Sequence, residues 1–370
     1  MEHTIILKEE GHYTSFPSLD HLADGRLAVG CGHAPFGDHT IMRERAVLVS
    51  ADGGATWVRS DDPALPPNWP GSTPREDFDR FSLTMPDGSL LGVSTNGYEL
   101  WDPSRRAEAE ARGFEPRESE HAPGQLLVRS HSMVVIRSRD GGVAWDRRTW
   151  IVPGYSWVYG FPHGTVLEDG TILYPAYAKS DGGCDGLLFR SADGGETWRL
   201  HLSTPRIGSE WAVVEVEPGL LLGHIRHGSD WGDPEHPRIY ALEIWSEDGG
   251  ITWTYPVETH FQGYPNHLLK LRDGRILCTF GYRRKPMGVR ALLSEDGGRS
   301  WDLEREYVLR EDGGTASSSW YPQDHGSGSP DVGYPVSTQL EDDSILSVYY
   351  ITTSDAITHV AATRWLPDRH

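Results

Sequence analysis

Cysteine is scarce. Cys31, Cys184 and Cys278 are the only three in 370 residues and form no CxxC pair, so neither a disulfide framework nor a cysteine zinc site is expected. They read as small buried apolar groups. Long apolar runs are also missing: no stretch of about 18 apolar residues, the length that crosses a bilayer, occurs anywhere. The first ten residues hold no basic stretch followed by an apolar one, so the expectation is a soluble, cytoplasmic protein with no membrane partner. Basic residues are few, 34 Lys and Arg against 54 Asp and Glu, for a formal net charge of -20. Such a field repels polyanions, which excludes nucleic acid as a partner and leaves room only for a local basic pocket. No nucleotide-binding glycine pattern and no EF-hand-like acidic loop is present, so no cofactor is expected.

What is abundant is the material of turns: 42 Gly and 25 Pro, with 14 Trp and apolar residues in short runs that lack a helical period. Many short strands joined by tight turns are therefore expected, an all-β chain. One octapeptide, Ser-x-Asp-Gly-Gly-x-(Thr/Ser/Ala)-Trp, occurs five times, at Ser50–Trp57, Ser138–Trp145, Ser191–Trp198, Ser246–Trp253 and Ser294–Trp301. Its Asp is suited to bond backbone N–H groups inside the turn, its Gly pair permits positive φ, and its Trp packs under the hairpin. It is a folding device and carries no chemistry.

A second repeat precedes the boxes: apolar strand, turn, apolar strand. The turns fall at Asp24-Gly25, Asp87-Gly88, Asp169-Gly170, Pro218-Gly219, Asp273-Gly274 and Asp342-Asp343, which makes six units. Counting back from each turn aligns Phe16-Pro17, Asp79-Arg80, Phe161-Pro162, Glu210-Trp211, Tyr264-Pro265 and Tyr334-Pro335. Pro is tolerated as a first strand residue, so these positions mark strand starts. After the sixth unit only one strand-like run remains, about Ala356 to Arg364, and Thr4-Ile5-Ile6-Leu7 at the other end of the chain is expected to supply its outer partner. The widest spacing between boxes holds an insertion over about 101–125, with a short charged helix at Arg105–Arg112.

The boxes, the six units and several strand starts resemble the sialidase (neuraminidase) superfamily, and the resemblance covers essentially the whole chain. It implies one domain over residues 1–370, a six-bladed β-propeller whose innermost strands start at the pocket. It further implies an exo-acting glycoside hydrolase with an oligosaccharide substrate and no metal. Ser209-Glu210-Trp211, followed by His224-Ile225-Arg226, is similar to the segment that holds the family's catalytic Glu, which assigns Glu210 as base and Arg226 as a substrate clamp. Asp331-Val332-Gly333-Tyr334-Pro335 is similar to the segment of the nucleophilic Tyr, which assigns Tyr334. The loop Gly32–His39 stands where the family keeps its acid/base Asp, which assigns Asp38. Arg283 or Arg284, and less so Arg290, supply another clamp Arg.

One position departs from the family: Ser15 stands where the first clamp Arg is expected. A bidentate Arg–carboxylate contact contributes roughly 1.5–3 kcal/mol, so sialic acid loses ground to other terminal sugars such as a uronic acid or a neutral pentose. His33, His39, His163, His224, His227, His267 and His325 crowd strand starts and loops. His39, His163 and His267 are candidate sugar-binding groups, together with Asp79 and Arg80. Trp157, Tyr159, Trp231 and Tyr264 are candidates for a stacking platform, and His33, His39, His224 and His227 form a weak metal set. Two alternatives stay open: a lyase acting on a uronate-containing glycan, and a non-catalytic glycan-binding propeller.

Overall fold

In the computed structural model, hairpins form wherever the sequence alternates an apolar run with an Asp-Gly turn. Described are residues 1–22, 24–35, 45–60, 81–85, 87–95, 98–119, 123–129, 131–140, 144–155, 157–160, 164–180, 183–204, 208–227, 240–315 and 331–368. Four of the turns share one wiring, in which Leu22, Met85, Leu271 and Leu340 each accept from the residue three further on and donate to the one four further on. Three of them place Gly at positive φ, and the fourth uses Asp343 at φ 68, a conformation that Asp tolerates better than most side chains. The all-β class expected from composition is what the chain adopts.

The chain divides into two compact units. The first comprises Met1–Asp61, Leu167–Asp169 and Trp211–His370. It holds four antiparallel four-stranded sheets among the described residues. In three of them the strands follow chain order: Tyr13–His21 to Val58–Ser60, Trp211–Glu217 to Val257–Gln262, and Asn266–Lys270 to Tyr307–Arg310. The fourth is built from both ends of the sequence. Glu2–Leu7 pairs with Thr358–Trp365, Glu2 opposite Arg364 and Ile5 opposite Ala361, beside Ile345–Thr352 and Val332–Gln339. This is the pairing expected of Thr4–Leu7.

Strand periodicity of two buries both faces of the inner strands. Ile276, Cys278 and Phe280 meet Ala212, Val214 and Val216 of the preceding sheet. From the same strand Leu277 joins Val289, Ala291 and Leu293 against Val332, Ile345, Tyr349 and Ile351. Cys31 and Cys278 are fully buried and burial pushes the Cys31 thiol up to about 12, which matches their reading as small apolar groups.

Among the described residues, the second unit, Asp62–Val166 and Gly170–Glu210, contains two larger sheets sharing a core of Leu91, Val93, Met133, Tyr174, Leu187 and Phe189. Among the described residues a separate three-stranded sheet brackets the stretch anticipated as an insertion: Tyr98–Trp101 and Leu126–Arg129 flank it, and Glu115–Glu118 lies within it. Its helix is Arg106–Ala111, preceded by a 3-10 turn that Asp102 caps through the Ser104 N–H at 2.9 Å. Ala109 packs with Trp101, Phe114, Leu126 and Val128.

The Asp boxes repeat one hydrogen-bond circuit. In the first, the Ser50 hydroxyl donates to Asp52 Oδ1 at 2.8 Å and accepts from the Gly54 N–H at 2.9 Å. Asp52 then takes the Thr56 N–H at 2.9 Å and the Thr56 hydroxyl at 2.6 Å, and Trp57 Nε1 donates to the Gly54 carbonyl at 3.0 Å. These donors, the Thr56 hydroxyl foremost, hold the Asp52 carboxyl down to about 2. Gly54 is required twice over: its φ is 89, and a Cβ there would lie 2.8 Å from Leu346.

Candidate functional site

The strand Val332–Gln339 begins in pairing with Ile345–Thr352, Gly333 opposite Tyr350, and resumes at Val336 opposite Val348. Tyr334 and Pro335 therefore face the single Tyr349, a bulge that re-aims the Tyr334 side chain. Tyr334 sits at φ 48, a left-handed conformation costing roughly 1–3 kcal/mol for a non-Gly residue. The equivalent place in the first unit repeats this. Ser15 pairs with Gly32 and Ser18 with Gly30, so Phe16, at φ 53, and Pro17 face Cys31 alone. The two rings meet edge-on, centroids 4.8 Å apart, and Tyr350 stacks on Tyr334 at 5.7 Å.

Cations converge on the same phenol. Arg226, the last residue of Leu220–Arg226, donates from Nη1 to Tyr334 Oη at 3.3 Å and lies 4.5 Å over the Tyr264 ring. Arg283 follows Ile276–Tyr282, donates from Nε to the Val332 carbonyl at 3.1 Å, and stands 5.9 Å from the ring centroids of both Tyr264 and Tyr334. Arg226 thus meets the oxygen of Tyr334 while Arg283 stands beside its ring. Behind it lies buried Asp331, 3.8 Å from Arg283 Nη2, accepting from Tyr350 Oη at 2.8 Å and from Tyr13 Oη. Burial, followed by the Asp331 charge, drives the Tyr350 hydroxyl far above its ordinary pKa, so it serves Asp331 as a donor.

Of the residues expected from sequence, Tyr334, Arg226 and Arg283 come together here. The remaining candidates for the further clamp separate cleanly. Arg284 bonds Gln262 Oε1, while buried Arg290 lies 4.8 Å over Tyr282 and 3.6 Å from Glu306. His267 accepts the Ser337 backbone N–H through Nδ1 at 3.3 Å, and burial depresses its pKa to about 4. Glu210 is buried and closes the second unit, directly before the strand Trp211–Glu217. Asp38, His39, Asp79, Arg80, His163, Trp231 and His325 lie outside the described residues. The histidines of the weak metal set part company: His33 bonds Thr14 and Glu9, whereas buried His224 bonds Asn266. Trp157 and Tyr159 cluster with Tyr177 within the second unit, whereas Tyr264 is a buried ring beneath Arg226.

Asp331, Tyr13 and Tyr350 were not anticipated as site residues. A signal for Asp331 existed, since a carboxylate opening an apolar strand demands buried donors, but nothing local names the tyrosines 318 and 19 residues away. A groove of about 580 Å³ opens at the opposite ends of these strands, at Arg272, Arg275 and Asp343. Its cations are already paired with Asp273 and Asp343.

Antiparallel sheets repeated along the chain and stitched by Asp boxes define a repeat-built all-β protein. Residues 118–348, more than half of the chain, match the BNR repeat-like domain. The chain belongs to that family, within the sialidase-like superfamily. A sialidase of Bacteroides fragilis (strain YCH46) is 26% identical over 282 residues, 71% of this chain and 48% of that protein, so the chain spans about half the length of this relative. A Dyadobacter fermentans DSM 18053 protein of unknown function superposes with TM-score 0.72 at 24% identity, covering 98% of this chain and 97% of the other. The Penicillium chrysogenum alpha-L-arabinanase complexed with arabinobiose does so with TM-score 0.59 at 12% identity, over 99% and 98%.

Proposed function

We propose that this protein is an exo-acting, retaining glycoside hydrolase built as a six-bladed propeller, with the six larger sheets as blades. The observation that carries the reading is the guanidinium of Arg226 at 3.3 Å from the hydroxyl of Tyr334, with Arg283 beside the same ring. Tyr334 Oη attacks the anomeric carbon as Glu210 takes its proton. The glycosidic C–O bond breaks, and Asp38 delivers a proton to the departing oxygen; water then releases the sugar from Tyr334. A phenolate repels an anionic sugar less than a carboxylate would, which suits a terminal sugar bearing or lacking a carboxyl group. Kinship with a sialidase supports the hydrolase class, and Ser15 at the expected clamp position favours a sugar other than sialic acid.

The test is sugar release from sialosides, uronic-acid disaccharides and neutral pentosides by wild type, Tyr334→Phe and Glu210→Gln. A fluorinated glycoside that traps the intermediate is used alongside. Turnover of one class, its loss by about 10³-fold or more in both variants, and a mass adduct on the Tyr334 peptide are expected. Undiminished turnover by Tyr334→Phe defeats the reading.

A further inference from the structure

Among the described residues, one group of histidine and carboxylate donors comes together away from Tyr334: Glu9, His12 and His33. Their donor atoms all lie within 4.8 Å of one another. Glu9 bridges the pair, Oε2 3.1 Å from His33 Nε2 and Oε1 3.3 Å from His12 Nδ1. The two imidazoles stack at 4.4 Å with planes 8° apart, each turning one nitrogen to one carboxylate oxygen. Zinc held tetrahedrally at about 2.0–2.2 Å has ligand–ligand edges of about 3.3–3.5 Å. His33 Nε2 and Glu9 Oε2 already stand near one such edge, His12 Nδ1 faces the other oxygen of the same carboxylate, and a turn of His12 brings its nitrogen to the shared ion.

The surroundings match such a site. His33 is almost wholly buried, and its other nitrogen, Nδ1, is 2.9 Å from the hydroxyl of fully buried Thr14. That partner fixes the ring and turns Nε2 toward the Glu9 carboxylate, and a hydroxyl on the far nitrogen is the second-layer arrangement usual for metal-bound imidazole. Two nitrogens and one carboxylate oxygen suit a borderline-soft divalent ion, and three protein donors leave the fourth position to water. The chain's net charge of -20 raises the local concentration of cations.

We propose that Glu9, His12 and His33 form a binding site for a divalent transition metal of the zinc type, which ties the segment after the first strand to the strand Leu27–Ala34. The segment is held on its other side by the Lys8–Asp355 ion pair, so the ion fastens the strand Glu2–Leu7 where it leaves its sheet. This site is independent of the glycosidase reading.

The experiment uses the tag-free full chain, stripped with a chelator and titrated with ZnCl2 by calorimetry and with CoCl2 by visible absorption, alongside His12→Ala, His33→Gln and Glu9→Gln. Expected are one equivalent of Zn²⁺, intense four-coordinate Co²⁺ bands, and a zinc-dependent rise in Tm. His12→Ala, which removes a half-buried ring outside the hydrophobic core, is expected to weaken binding about 100-fold and to abolish the Tm rise. Glu9→Gln should weaken binding about 10-fold or more. The absence of a saturable equivalent below about 100 µM Zn²⁺ overturns the proposal, as does an equivalent that survives both His12→Ala and His33→Gln.

Discussion

Tyr334 owes its position to three residues remote in sequence: Phe16 against its edge, Tyr350 against its face and Arg226 on its oxygen. A single charge-assisted hydrogen bond of this kind contributes about 1.5–3 kcal/mol. Arg226→Met is therefore expected to lower kcat/KM by about 10- to 100-fold on whichever glycoside proves to be the substrate, with unfolding unchanged within about 1 kcal/mol. Steady-state kinetics beside urea denaturation check this; equal losses in stability and activity would mark Arg226 as structural. His267 makes a pH prediction. Its folded pKa of about 4 lies below the ordinary 6.5, so its stabilising contribution is complete above pH 6.5 and is lost as pH falls toward 4. The cause is burial, and the bond to the Ser337 N–H requires an unprotonated Nδ1. Urea midpoints at pH 7.5, 5.5 and 4.5 should fall in that order, and His267→Gln should reduce the slope.

At the scale of elements the Asp box is the unit that can be edited. Four boxes place a Thr or Ser hydroxyl on the Asp carboxylate, at 2.5–2.6 Å. The box at Ser138 has Ala144 instead, which gives Asp140 only its backbone N–H, at 2.9 Å, where the others give a hydroxyl as well. Ala144→Thr supplies the missing donor, and a stabilisation of about 0.5–1 kcal/mol is expected, read as a higher urea midpoint at unchanged m-value. The boxes and turns were legible because their geometry is encoded within eight residues. The bulges at Phe16 and Tyr334 were not. A left-handed residue before Pro has no local signature, and here it persists because the pairing on either side of it over-determines the backbone.

Across the molecule, the sheet that joins the first strand to the last ties residue 2 to residue 364 with no covalent link. Removing residues 1–7 strips a paired edge from Thr358–Trp365 and the buried side chain of Ile6. A loss of about 2–4 kcal/mol, seen in urea unfolding together with aggregation through the bared edge, is the expected result. Co-expression of the excised strand as a separate peptide should restore part of it.

The sequence by itself determined the all-β class, the box turns and the pairing of the chain ends. Each of these rests on a local motif, a period of two or a counted offset from a turn. Only the tertiary structure set Arg283, rather than Arg284 or Arg290, beside Tyr334, revealed Asp331 as the shared acceptor of Tyr13 and Tyr350, and brought Glu9 and His12 to His33. Those outcomes depend on which strand starts become neighbours in space. Long-range packing sets that distance, and no spacing along the chain records it.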